Sequence, residues 1–253
     1  MKLAFSPASP YVRKVTACAI KRGINDKIER LKIGTTDPEL LKLNPLSKVP
    51  TLITDDGMAL YDSPVICEYL DSVGSAPKLF PAPGPARWKA LVQEALGDGI
   101  LDATQPRRRE IPLPQDEGRK SYIALQQGKV KEALAVLEKQ ADSLGMLTTI
   151  GEVTIACALG YLDFRYANEP WRPGHPKLEA WYAKVERGIA QLEAEADKLG
   201  ELTTIGEITV ACALGYLDFR YAGEPWRPGH PKLAAWYDKV LALPAMKKTM
   251  PAA

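Results

Sequence analysis

The chain has 253 residues, 46% hydrophobic and 25% charged, with a formal net charge of +2. That length allows a large core or two modest domains of ordinary soluble composition, and the near-neutral charge gives no case for nucleic acid or an anionic membrane surface. Residues 1–5 are too short an apolar run for a signal peptide, and no segment approaches the roughly 18 apolar residues of a membrane span. Cys18, Cys67, Cys157 and Cys212 sit in apolar helical patterns without metal-like spacing, so they read as reduced core residues of a cytoplasmic protein. His175 and His230 lie in Pro-Gly-His-Pro turns, and no metal site is expected.

Taken in order, residues 2–5 predict a strand that ends at Ser6-Pro7-Ala8-Ser9-Pro10. Helical spacing follows from Val12 to Ile20, with Ser9 as N-cap and Pro10 at the first helical position. Residues 28–33 predict a second strand, and residues 38–43 one or two helical turns ended by Asn44-Pro45. Residues 51–54 and 58–61 flank Asp55-Asp56-Gly57, where Gly supplies the positive φ of a hairpin turn. Val49-Pro50 precedes the first of these strands, where Pro has no ladder donor to lose. Asp62-Ser63-Pro64 then opens a helix, with Ser63 as its expected N-cap. Strand–helix–strand followed by a hairpin and a helix implies a small α/β sheet of the thioredoxin kind, without the redox Cys-x-x-Cys.

A capped helix N-terminus gathers unpaired N–H groups and positive dipole, so it attracts a carboxylate, while Asp62 beside it suits an ammonium. Together these make a receptor for an α-amino-acid end group. The three segments S-P-A-S-P-Y-V-R-K, N-P-L-S-K-V-P-T-L and L-Y-D-S-P-V-I-C-E-Y-L resemble the glutathione-binding half of the glutathione S-transferases, close to the bacterial, serine-type members. The resemblance covers nearly the whole chain. It implies that Pro50 is cis, that the Val49 backbone pairs with the cysteinyl part of glutathione, and that Asp62 and Ser63 hold the γ-glutamyl end. Lys48 is a candidate for the glycyl carboxylate, a solvated lysine being the alternative. Ser9 is the candidate catalytic residue, donating its hydroxyl to the sulfur, because Ser-Pro-aromatic (Ser9-Pro10-Tyr11) is the serine-type pattern; Ser6 competes as the residue ending the first strand. A thiol near pKa 8.5 is mostly protonated at neutral pH, and a helix-terminal hydroxyl stabilises the thiolate that attacks. Tyr11 reads as a packing residue, and Arg13 as a solvated helix position or a contributor to the local positive field.

Residues 74–86, rich in Pro and Gly, end the first domain, predicted as 1–80, and an all-α domain is expected over 81–253. It opens with a helix from Arg87 to about Arg109, whose last turn carries Arg107-Arg108-Arg109 where cations suit the dipole, and continues with another from Glu117 to Leu144. The stretch beginning at Leu147 then returns at Leu202, 55 positions on, and the repeat units abut as 129–183 and 184–238. Each contains a capping box, Thr149 with Glu152 and Thr204 with Glu207. Removing one 55-residue period from 253 leaves 198 residues, an ordinary length for the family, so the repeat reads as a tandem duplication within one helical domain. The helix over 175–185 is predicted to run on through 186–199, and Trp171, Trp181, Trp226 and Trp236 read as packing residues. The resemblance implies a glutathione transferase acting in detoxification on small apolar electrophiles, with glutathione as co-substrate, as a homodimer with exchanged or added helices. A binding or scaffold protein, or a glutathione-dependent isomerase or dehalogenase, are the alternatives.

Overall fold

Short apolar runs punctuated by Ser-Pro and Asp-Pro starts give the first half its alternation of strands and helices. A computed structural model describes residues 1–186, 227–243 and the single positions 210, 211, 214 and 218. These fall in two units, Met1–Val185 and Glu186–Ala253. The first unit runs β1 (Lys2–Ala4), α1 (Pro10–Lys21), β2 (Glu29–Leu31), α2 (Pro38–Leu43), β3 (Thr51–Ile53), β4 (Ala59–Leu60) and α3 (Ser63–Val73). The sheet order is β2-β1-β3-β4, with β1 and β2 parallel and the other pairs antiparallel. The parallel pair needs a crossover, which α1 supplies, whereas β3 and β4 are joined by a turn at Gly57, whose φ is +89°. Leu3 and Leu52 from the sheet meet Val15 and Cys18 of α1 and Ile66 and Leu70 of α3 in one buried cluster.

The strands are shorter than the runs predicted at 2–5, 28–33, 51–54 and 58–61, and two helix ends also differ from the sequence reading. Helix α3 starts one residue early: Asp62, not Ser63, is its N-cap, because the Asp62 carbonyl accepts the first helical bond from Ile66 N at 3.0 Å. The helix expected to reach Leu144 ends sooner, a single 3₁₀ turn at Ala141–Ser143 closing it.

The helical half of this unit comprises α4 (Pro85–Glu110), α5 (Glu117–Gln140), α6 (Ile150–Arg165) and α7 (Pro176–Glu186). Small residues let α6 into the middle. A Cβ on Gly151 would stand 2.5 Å from Gln93 Cβ and 2.6 Å from the Ala90 carbonyl, and one on Gly97 would stand 2.8 Å from Thr154. The capping box at its start forms as predicted: Thr149 accepts from Glu152 N, and the Glu152 carboxylate takes Thr149 N at 3.2 Å. That carboxylate also takes Gly145 N at 2.7 Å, and Ile150 N donates to the Leu79 carbonyl at 3.0 Å. The first of the three consecutive arginines is not a helix-end cation facing water. Arg107 is buried, paired with Glu169 at 2.6 Å and lying 4.7 Å from the Tyr166 ring centre, and only Arg108 and Arg109 are exposed. The fold is therefore an α/β thioredoxin-like half followed by an all-α half.

The second unit, by itself, contains α8 (Pro231–Leu241). Ala211, Leu214, Leu233, Trp236, Tyr237 and Val240 form a small buried cluster. Its Arg227–Asp218 pair, at 2.6 Å, lies 55 positions beyond Arg172–Asp163, at 2.5 Å in the first unit. Trp171, Trp181 and Trp236 are buried packing residues, and Cys18, Cys67 and Cys157 are buried free thiols. Burial pushes the Cys67 thiol up and the Cys157 thiol up to about 11, so both stay protonated at neutral pH. The second capping box, the run-on helix over 187–199, Cys212 and Trp226 lie outside the described residues. Among the described residues no helix is long and apolar enough to cross a membrane.

Candidate functional site

The ladder registers decide what shares an edge. Ala4 at the end of β1 pairs with Thr51 at the start of β3, and Leu52 pairs with Leu60 at the end of β4. The loop after β1, the segment before β3 and the segment after β4 therefore leave the sheet at one edge. They do so in strand order: Ser9 beyond β1, Val49-Pro50 before β3, Asp62-Ser63 beyond β4. Two strand spacings amount to roughly 10 Å, and an extended tripeptide covers about as much.

Each segment has a local cause. Ser6 and Ser9 close a turn, Ser9 N donating to the Ser6 carbonyl at 3.1 Å, and Ser9 then caps α1, its Oγ accepting from Val12 N at 3.3 Å. Capping uses a hydroxyl lone pair, so the O–H remains a donor. In the central segment the Val49–Pro50 bond is cis, as the resemblance implies, with Pro50 buried and Lys48 exposed. Asn44 fixes this loop. Its buried side-chain amide donates to the Lys48 carbonyl at 3.1 Å and to Thr51 Oγ1 at 3.0 Å, while its Oδ1 accepts from Leu46 N at 2.9 Å. In the third segment the Tyr61–Asp62 bond is also cis. Asp62 makes no side-chain cap bond, so its exposed carboxylate is not spent on the helix, and Ser63 is 2% exposed at the first helical position.

Beside Ser9, α1 meets α4. The Tyr11 hydroxyl donates to Asp102, and the fully buried Lys14 ammonium bonds Glu94 at 3.1 Å and Asp98 at 2.7 Å. Glu94, Asp98 and Asp102 recur every fourth residue, one stripe on α4. Burial, the bond to Asp102 and the charges of Asp98 and Asp62 push the Tyr11 phenol well above its usual range. Asp62 is thus near enough to be felt on the α1 side of the site. Burial would pull Lys14 down, but Asp98 and Glu94 outweigh it and push the ammonium up. Asp98 is pushed up to about 6 by burial, against the pull of Lys14.

Among the residues anticipated from sequence, Ser9, Val49, Pro50, Asp62 and Ser63 come to this edge, and Lys48 belongs to the same loop. Asn44, Lys14 and the α4 carboxylates were missed. The Asn-Pro step signals only a helix stop, and Lys14–Asp98 joins residues 84 apart.

Comparison with known proteins identifies the scaffold. The model described as glutathione S-transferase, N-terminal domain, matches residues 8–73, and that of the C-terminal domain matches twice, over 116–184 and 182–239. The chain belongs to the glutathione S-transferase family. Its relatives in this family include a GST-like protein of Escherichia coli, YibF, described as uncharacterized, 33% identical over 70% of this chain and 90% of that protein. A glutathione transferase family member from Pseudomonas fluorescens, solved with bound glutathione, is 39% identical with a TM-score of 0.67, covering 74% of this chain and 94% of that one. A glutathione S-transferase from Methylobacillus flagellatus, also solved with glutathione bound, is 33% identical with a TM-score of 0.66, covering 72% and 93%. These family members are matched almost end to end, while part of this chain lies outside each match.

Proposed function

We propose that this chain binds glutathione along the sheet edge and transfers its thiolate to small electrophiles. The observation that carries the reading is the alignment of Ser9, Val49 and Asp62-Ser63 in strand order, one contact group per strand across a tripeptide's length. Glutathione-bound relatives at 33–39% identity support it. In this reading the Asp62 carboxylate takes the γ-glutamyl ammonium, and the N-terminus of α3 at Ser63 takes its carboxylate. The Val49 backbone pairs with the cysteinyl unit, beside cis Pro50, and Lys48 reaches the glycyl carboxylate. Ser9 donates to the sulfur at the N-terminus of α1, where hydroxyl and dipole both favour the anion. Its place as N-cap supports Ser9 over Ser6, whose carbonyl only closes the preceding turn. Ser9 is a thiolate stabiliser and not a nucleophile, so no proton-relay triad is needed. Lowering a thiol pKa by about two units requires roughly 2.7 kcal/mol, within reach of one charge-assisted hydrogen bond plus a dipole.

The electrophile then enters between the Ser9 loop and α4. We further propose a homodimer: Trp88 and Val92, one turn apart on α4, are 67% and 63% exposed and offer an apolar strip to a second copy of the chain. The 55-residue repeat reads as a tandem duplication, and it favours a second reading in which the additional helices serve a partner. Turnover separates the two. A glutathione transferase conjugates glutathione to members of an electrophile panel, whereas a scaffold binds glutathione and turns over none.

A further inference from the structure

The α1–α4 seam beside Ser9 is chemically one-sided. Lys14 is fully buried and its charge is shared by Glu94 and Asp98, so it offers nothing outward. The remaining Asp98 oxygen, Oδ1, is buried without a hydrogen-bond partner among the described residues. The Tyr11 hydroxyl, the donor closest in sequence to Ser9 on α1, is committed to the exposed Asp102. Arg13, the other cation here, has its guanidinium toward α6, Nη1 lying 3.3 Å from where a Cβ on Gly160 would stand. What this wall presents is therefore acceptors: the phenol oxygen of Tyr11 and the carboxylate of Asp102, with Asp98 behind them.

We propose that the Tyr11–Asp102 pair makes the acceptor side of the site selective for electrophiles bearing a cationic or strongly hydrogen-bond-donating group, against isosteric carboxylates. The proposal rests on the glutathione reading above and assigns the class of second substrate. A carboxylate brought beside Asp102 meets like charge, and the donors of Tyr11 and Lys14 are already bonded to carboxylates. An ammonium meets a negative group and two acceptors. The roles of the two residues differ. Asp102 supplies the charge, and Tyr11 is a positioning residue that holds that carboxylate toward the sulfur end of the site.

The test uses two S-benzylglutathiones, one with a para-trimethylammonium and one with a para-carboxylate, titrated calorimetrically into the full chain and into Asp102→Asn. Glutathione itself is the reference in each. The native chain should bind the ammonium conjugate about tenfold or more tightly than the carboxylate, and Asp102→Asn should bring that ratio to within about threefold. Tyr11→Phe keeps the charge but frees the carboxylate it holds, so its ratio should fall between those of the native chain and Asp102→Asn, and a ratio unmoved by Tyr11→Phe would overturn the positioning role. Equal affinities in the native chain, or a ratio unmoved by Asp102→Asn, would overturn the proposal while glutathione binding stands. Failure of glutathione itself to bind would remove the underlying reading and this proposal together.

Discussion

Asp98 occupies an unusual position for a carboxylate: mostly buried, bonded to a buried ammonium at 2.7 Å, and flanked on its own helix by Glu94 and Asp102. Tyr11 of α1 and the Cys157 thiol also lie in its electrostatic surroundings. Its folded pKa of about 6 lies above the ordinary value of 3.8, so the folded chain holds the proton more tightly than the unfolded one. The sign follows from linkage. The contribution is fully present below pH about 4 and is lost as pH rises toward 6, a swing of roughly 2–3 kcal/mol. Chemical denaturation of the native chain and of Asp98→Asn should show the native chain losing stability relative to the variant between those pH values. The opposite slope would mean that Lys14 holds Asp98 ionised throughout. Lys14 itself resists substitution, because removing it strands two buried carboxylates, a change that typically costs about 3–5 kcal/mol.

Among elements, α6 shows what a sequence can and cannot disclose. Its capping box is local grammar, four residues whose side chains and N–H groups pair with one another, and Thr149 and Glu152 announce it. The Ser9-Pro10 start of α1 is legible for the same reason. The start of α3 was displaced by one residue because Asp62, Ser63 and Pro64 all suit a helix start, and only the Asp62 carbonyl bond to Ile66 N decides among them. Pairings such as Lys14 with Asp98 or Arg107 with Glu169 carry no local pattern at all, and the three arginines read as a surface cluster until Glu169 arrives from 62 positions away. The site edge was partly legible: its Ser-Pro and Val-Pro starts are local, but Asn44, which holds the Val49 loop, looks in sequence like any Asn-Pro stop. Close approach is equally silent. At Gly151 a methyl group would meet Gln93 Cβ and the Ala90 carbonyl well inside contact distance, and the latter is backbone that cannot turn away. Gly151→Ala should therefore destabilise by about 1–3 kcal/mol in urea denaturation. A neutral result would show that α4 and α6 slide apart at little cost.

For the whole molecule, the question is what the additional 55 residues do. Among the described residues, those of both larger buried clusters, the one around the sheet and the one around α6, come before Glu186. Deleting residues 184–238 leaves 198 residues. That shortened chain should stay soluble, bind glutathione within about threefold of the native Kd, and sediment at twice its chain mass through the α4 face carrying Trp88 and Val92. An aggregated product would mean that the second unit covers surface the first cannot leave exposed. A mass of one chain for both proteins would remove the dimer.

The geometry of the sheet edge finally comes down to the sulfur. Glutathione is titrated with base in the presence of the native chain and of Ser9→Ala, and thiolate formation is followed by ultraviolet absorbance. The native complex should show a thiol pKa about two units below the free value near 8.5, and Ser9→Ala should return it most of the way while glutathione still binds. A bound thiol that titrates at its free value in the native chain would contradict the account.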